Sequence, residues 1–125
     1  MKLAFFPFYG SDWLGSRRVR ALGAEMRGHF VDLLCMMWEE PGCRVPDDAA
    51  ALCPTLGITK ARWARVRAAL VGTKDAVLKE DGAGNLYNER LHEVREAAEE
   101  FHAGRAAAGR KGRAAQLANV GLRPG

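Results

Sequence analysis

Apolar residues recur at three- and four-residue intervals through Met26, Phe30, Leu33, Leu34 and Met37, with Trp38 closing the run. That spacing predicts an amphipathic helix over 24–40, ended by Pro41-Gly42. A second helix is expected after Pro46-Asp47-Asp48, where two acids suit a cap and the positive end of the helix dipole. Pro54 should cut that helix short or kink it. Leu56-Gly57-Ile58-Thr59 reads as a tight turn, with Thr59 capping a third helix over 60–71. On a helical wheel Trp63, Val66 and Leu70 share one side. Lys60, Ala61, Ala64, Arg65 and Ala68 share the other, with Arg62 and Arg67 flanking the apolar stripe.

The period then shortens. Val77-Leu78 and Leu86-Tyr87 read as two short strands around the polar bend Asp81-Gly82-Ala83-Gly84-Asn85. Asn88 can cap a last helix over 89–103, with Leu91, Val94, Ala98 and Phe101 toward the core. Glu89, Glu93, Glu96, Glu99 and Glu100 fall on its other faces. Ahead of the first long helix, 3–14 is rich in aromatics and interrupted by Pro7 and Gly10, so an extended, irregular segment laid across the core is expected. Arg17, Arg18 and Arg20 follow as a solvated cluster.

These elements predict a mostly α chain with a small β-hairpin, an α+β fold in winged helix-turn-helix order, over 1–103. Over 104–125 alanines alternate with Gly104, Gly109, Gly112 and Gly121. Each glycine costs a helix about 1 kcal/mol relative to alanine, so a flexible basic tail is expected there.

Charge alters the picture by its placement. The chain of 125 residues carries a net +4. Arg105, Arg110, Lys111, Arg113 and Arg123 lie beyond Glu100 with no acid among them, so 1–100 sums to −1. The folded part is close to neutral and the basicity sits at one end, where AGRKGR forms its densest cluster. No apolar run approaches the ~18 residues of a membrane span, and the N-terminal stretch is too short and interrupted for a signal peptide, so a cytoplasmic protein without membrane contact is expected.

The candidate chemistry is recognition rather than catalysis. Arginine can pair bidentately with guanine O6 and N7, and threonine and lysine can hold phosphate. Thr59, Lys60, Arg62, Arg65 and Arg67 on the third helix are therefore DNA-binding candidates, with Lys79 and Asn85 on the wing and Arg110, Lys111 and Arg113 in the tail. Glu80 and Asp81 on the wing would repel phosphate. Cys35, Cys43 and Cys53 lack the spacing of a disulfide framework or a zinc site and read as plain thiols. His92 and His102 read as solvent-facing. The sequence carries no nucleophile elbow, P-loop or dinucleotide fingerprint, so no enzyme, catalytic residue, metal or cofactor is expected.

Pro7, Phe8, Tyr9, Asp12 and Trp13, followed by Gly28, Phe30, Leu33, Leu34 and Trp38, form a motif that resembles the YdaU-like family of prophage-encoded proteins. The likeness continues through Val45-Pro46-Asp47-Asp48, Leu56-Gly57-Ile58, Trp63, Asp81-Gly82, Leu86, Asn88, Arg90-Leu91 and Ala108-Gly109-Arg110-Lys111-Gly112. The chain departs from the family at Cys53-Pro54-Thr55, where an Ala-Arg-type pair is common. The resemblance implies a relation to phage replication-initiation proteins, whose N-terminal winged helix binds origin DNA or self-associates. DNA is thus the expected partner. The alternative is a protein–protein module, either self-associating or docking a replication protein, which the near-neutral 1–100 and the acidic last helix favour.

Overall fold

The structure, a computed structural model, describes residues 3 and 5–122, with side chains through 105. The described residues form two compact units that divide between Arg95 and Glu96.

The first unit opens with irregular chain over 5–9, then two short helices, α1 (Gly10–Gly15) and α2 (Arg17–Ala21). Pro7 permits the extended entry, and the Ser16 hydroxyl caps α2 by accepting from the Val19 N–H at 3.3 Å. The expectation of wholly non-helical chain over 3–14 is corrected by α1, a helix of little more than one turn with no buried residue. The long helix α3 (Gly23–Glu39) buries Phe30, Leu33, Leu34, Met37 and Trp38, the face its periodicity marks. It ends where Glu40 turns extended ahead of Pro41.

A two-residue strand, β1 (Val45–Pro46), leads into α4 (Ala49–Leu56), which Asp48 caps by accepting from the Ala50 N–H at 3.1 Å. Pro54 lies inside α4 and does not end it. Its missing N–H forfeits a single bond on the exposed side, and burial of Leu52, Cys53 and Leu56 holds the helix regardless. Gly57 then takes a left-handed φ of 71°, and the N–H groups of Gly57 and Ile58 both donate to the Cys53 carbonyl, at 2.8 and 3.2 Å. That is the turn a glycine makes without steric cost. Thr59 caps α5 (Lys60–Leu70) by accepting from the Arg62 N–H at 3.1 Å.

The sheet is completed by β2 (Lys79–Glu80) and β3 (Asn85–Tyr87), all pairs antiparallel, in the order β1-β3-β2. Val45 faces Leu86 in one pairing, and Lys79 faces Tyr87 in the other. The expected hairpin is therefore present with its first strand two residues later, and it gains a third strand. Val77 and Leu78 are buried but not in the strand; Leu78 N–H instead donates to the Leu70 carbonyl at 3.0 Å, tying the end of α5 to the sheet. Pro46 suits the edge strand, because the Asp47 N–H reaches inward to the Gly84 carbonyl at 2.9 Å and leaves the Pro46 nitrogen on the open side.

Helices α3, α4 and α5 pack on one another, and β1 joins them through α3. Leu33, Met37, Leu52, Val66, Leu70, Leu78 and Leu86 have essentially no exposed surface. Each such side chain contributes roughly 1.5–3 kcal/mol relative to exposure. The chain is thus α+β, mostly helical with a small three-stranded antiparallel sheet.

Helix α6 (Glu89–Leu122) starts with Asn88, whose side-chain oxygen accepts from the Leu91 N–H at 2.8 Å while its amide donates to the Val77 carbonyl at 2.8 Å. Its first turns belong to the first unit, with Leu91 and Arg95 buried. The described residues of the second unit are helical. Where the sequence predicts an end near 103, helical backbone continues to Leu122, and the glycines are offset by runs of alanine, the best helix former. Phe101, expected on the core side, is 67% exposed. No helix among the described residues is long and apolar enough to cross a membrane.

Candidate nucleic-acid interface

Helix α5 turns Trp63, Val66 and Leu70 inward, and this fixes the direction of every cation on it. Lys60, Ala61, Ala64, Arg65 and Ala68 are exposed together. The three alanines keep the surface low, so a partner could approach the helix backbone closely between the two cations. Neither Lys60 nor Arg65 makes an ion pair among the described residues.

The other candidates are engaged. Thr59 spends its hydroxyl oxygen on the Arg62 N–H, although the hydroxyl proton stays available. The Arg62 guanidinium bonds Glu25 on α3, and this hydrogen bond, with the positive charges around it, lowers the Glu25 pKa. Both side chains are solvated, so the pair contributes little to stability and can be exchanged for a phosphate. Arg67 differs. Its Nε and Nη2 grip the Asp47 carboxylate at 2.9 and 2.6 Å, and Nη2 also bonds Glu80 on β2. The bonds to Asp47 push the guanidinium pKa further up, and the fork ties α5 to the start of α4 and to the sheet. Lys79 is taken by Glu89 at 2.5 Å, which lowers the Glu89 pKa.

The wing is also quieter than its acids suggest. Asp81 accepts from the N–H groups of Ala83 and Asn85 at 2.8 and 3.1 Å, from the Asn85 amide at 3.1 Å, and from Arg44 at 2.7 Å. Its side chain is 5% exposed, and these donors, the Ala83 N–H foremost, hold the carboxyl below the usual carboxylate range. Gly82 and Gly84, at φ of 79° and 83°, let the chain close around it. The expected repulsion from Asp81 and Glu80 is therefore neutralised by Arg44 and Arg67. Asn85 is turned inward by the same bonds and does not project from the wing.

The side chains of Arg110, Lys111 and Arg113 lie outside the described residues. His92 is half-buried and meets the Tyr87 ring edge-on at 6.4 Å, in place of the solvent-facing position expected for it, while His102 is exposed. Cys43 and Cys53 are buried and Cys35 is exposed, its thiol pKa raised by burial of the sulfur and by nearby Asp32 and Glu39. No three His, Cys, Asp or Glu side chains among the described residues converge as metal ligands.

What sequence spacing could not supply is the set of counter-ions. Glu25 lies 37 residues from Arg62, and Asp47 lies 20 from Arg67. Only the folded packing of α3 and α4 against α5 brings them together. No protein-family model, curated protein or solved structure matches the chain.

Proposed function

We propose that the first unit is a winged helix that binds duplex DNA with α5 as its recognition helix and the β2–β3 bend as its wing. The observation that carries this reading is the outer face of α5, where Lys60 and Arg65 stand exposed across a floor of alanines and make no ion pair among the described residues. Three features support it: the order β1-α4-α5-β2-β3 behind α3, the left-handed Gly57 turn between α4 and α5, and the neutralised wing acids. Lys60 lies at the start of α5, where the positive end of the helix dipole adds to its attraction for phosphate. Arg62 joins on contact by exchanging Glu25 for a phosphate. The basic segment with Arg110, Lys111 and Arg113 adds charge without sequence information. The resemblance to YdaU-like prophage proteins extends the proposal to phage DNA replication initiation in the cytoplasm.

The test is a titration of the full chain with a duplex over a range of salt. Replacing both Lys60 and Arg65 by alanine should lower affinity about tenfold and reduce the salt slope by about 2, at ~0.9 per phosphate contact. A wild-type chain that ignores duplex DNA at low salt sinks the reading.

One observation favours a second reading, a protein–protein module of a replication complex without DNA contact. Arg62, Arg67 and Lys79 are already matched to carboxylates, which takes three of the candidate cations out of reach of a phosphate. Concentration-dependent mass by light scattering, with no DNA affinity, would support that module.

A further inference from the structure

A cavity of about 290 Å³ opens between the N-terminal segment, α1, α3 and the start of α6. Phe6, Phe8, Tyr9, Trp13 and Phe30 line it; Phe30 belongs to the core, while the other four side chains are half-buried or exposed. Phe8 is 51% exposed and Tyr9 53%, while Trp13 is half-buried with its ring 5.3 Å from Phe8 and 5.7 Å from Phe30. A second concavity of about 410 Å³ runs from α2 to the end of α5. Arg18 and Val77 line both, so the two concavities adjoin along one furrowed stretch of surface.

The charges along it are uneven. Arg90 holds Asp12 at 3.0 Å, and Lys79 holds Glu89 at 2.5 Å, so two of the three lining acids are neutralised. Arg17 and Arg18 are exposed and make no ion pair among the described residues. Asp75 lines the surface beside them, and Glu89 lies near enough to Arg18 for the cation to contribute to its lowered pKa. Partly exposed aromatic side chains beside exposed arginines are what a single strand of nucleic acid needs, because bases stack on rings and phosphates take the cations.

We infer that this furrow binds single-stranded nucleic acid, with a base stacked among Phe8, Tyr9 and Trp13 and the adjoining phosphate on Arg18 and Arg17. The surface is separate from the outer face of α5 and does not depend on the duplex reading. Phosphates alone do not explain it, since the same cations would serve a bare backbone equally well without the rings. The acid at Asp75 sets the limit of the phosphate track.

The full chain is titrated with oligo(dT) and with an abasic strand of equal length, following tryptophan emission and the anisotropy of a labelled strand. Trp38 and Trp63 are buried, so Trp13 is the indole a base can reach. Oligo(dT) should quench it, and the abasic strand should bind several-fold more weakly without quenching. Tyr9→Ala should lower oligo(dT) affinity about tenfold. Arg18→Ala, at an exposed position that does not support the fold, should lower the salt slope by about 0.7. Asp75→Asn should tighten binding, and the Lys60→Ala/Arg65→Ala pair should leave it unchanged. Equal binding of the abasic strand, or loss of oligo(dT) binding in the α5 pair instead of Arg18→Ala, overturns the assignment. So does unmoved Trp13 emission with every strand, the outcome if the furrow takes an apolar peptide.

Discussion

Arg95 lies over the indole of Trp38, its guanidinium carbon 5.0 Å from the ring centroid, and donates to the Trp38 carbonyl. Both contacts fall at the C-terminal turn of α3, where the last carbonyls have no partner within the helix. One buried side chain, 3% exposed, thus satisfies an orphan acceptor and covers the ring beside it.

Replacing Arg95 by leucine should therefore lower stability by about 2–4 kcal/mol in urea unfolding. The loss combines a cation–π contact with a buried carbonyl left unsatisfied. Arg95→Lys should recover part of it, because an ammonium can reach the ring but lacks the planar fork.

Arg67 should behave as a structural residue. Arg67→Ala leaves Asp47 without its bidentate partner and should cost about 1–3 kcal/mol of stability, while duplex affinity changes by no more than about twofold. A loss of DNA affinity as large as that of the Lys60→Ala/Arg65→Ala pair would assign it to the interface instead.

Glu25 competes with DNA for Arg62. Glu25→Gln should tighten duplex binding severalfold and steepen its salt dependence, with the unfolding midpoint unmoved, since the pair is solvated. The same titration in the wild type and the variant, at two salt concentrations, checks this.

Asp81 should contribute to acid sensitivity. Its folded-state pKa is lowered, so the stabilisation is fully present above the unfolded value near 3.8 and is lost as pH falls through the lower folded value. Asp81→Asn keeps an acceptor for the Ala83 N–H but cannot pair ionically with Arg44. The variant should start less stable at pH 7 and lose less than the wild type below about pH 4, as measured by denaturant midpoints.

The local grammar of the chain was readable where cause and effect are neighbours. Thr59 and Asn88 cap the helices that follow them, Gly57 makes the turn, and Trp63, Val66 and Leu70 point inward, all from spacings of a few residues. Val77 and Leu78 misled because burial in a connecting segment looks like burial in a strand. The strand β1 is only two residues and contains a proline, so no periodicity announces it. Pro54 suggested a helix cut short or kinked, where tertiary burial of its neighbours carries the helix on to Leu56. The cations of the candidate interface were legible as residues but not as charges available to a ligand. Glu25, Asp47 and Glu80 approach them only through the packing of separate elements.

The two edges of the small sheet bear on how copies of this chain can meet. One edge is two residues long and carries Pro46 with no hydrogen to donate; the other is Lys79–Glu80, charged at both positions. Neither can recruit a strand from a neighbouring molecule, so the sheet cannot grow into a ribbon between copies. A dimer of this protein formed through other surfaces should leave the β-sheet signature of the spectrum unchanged.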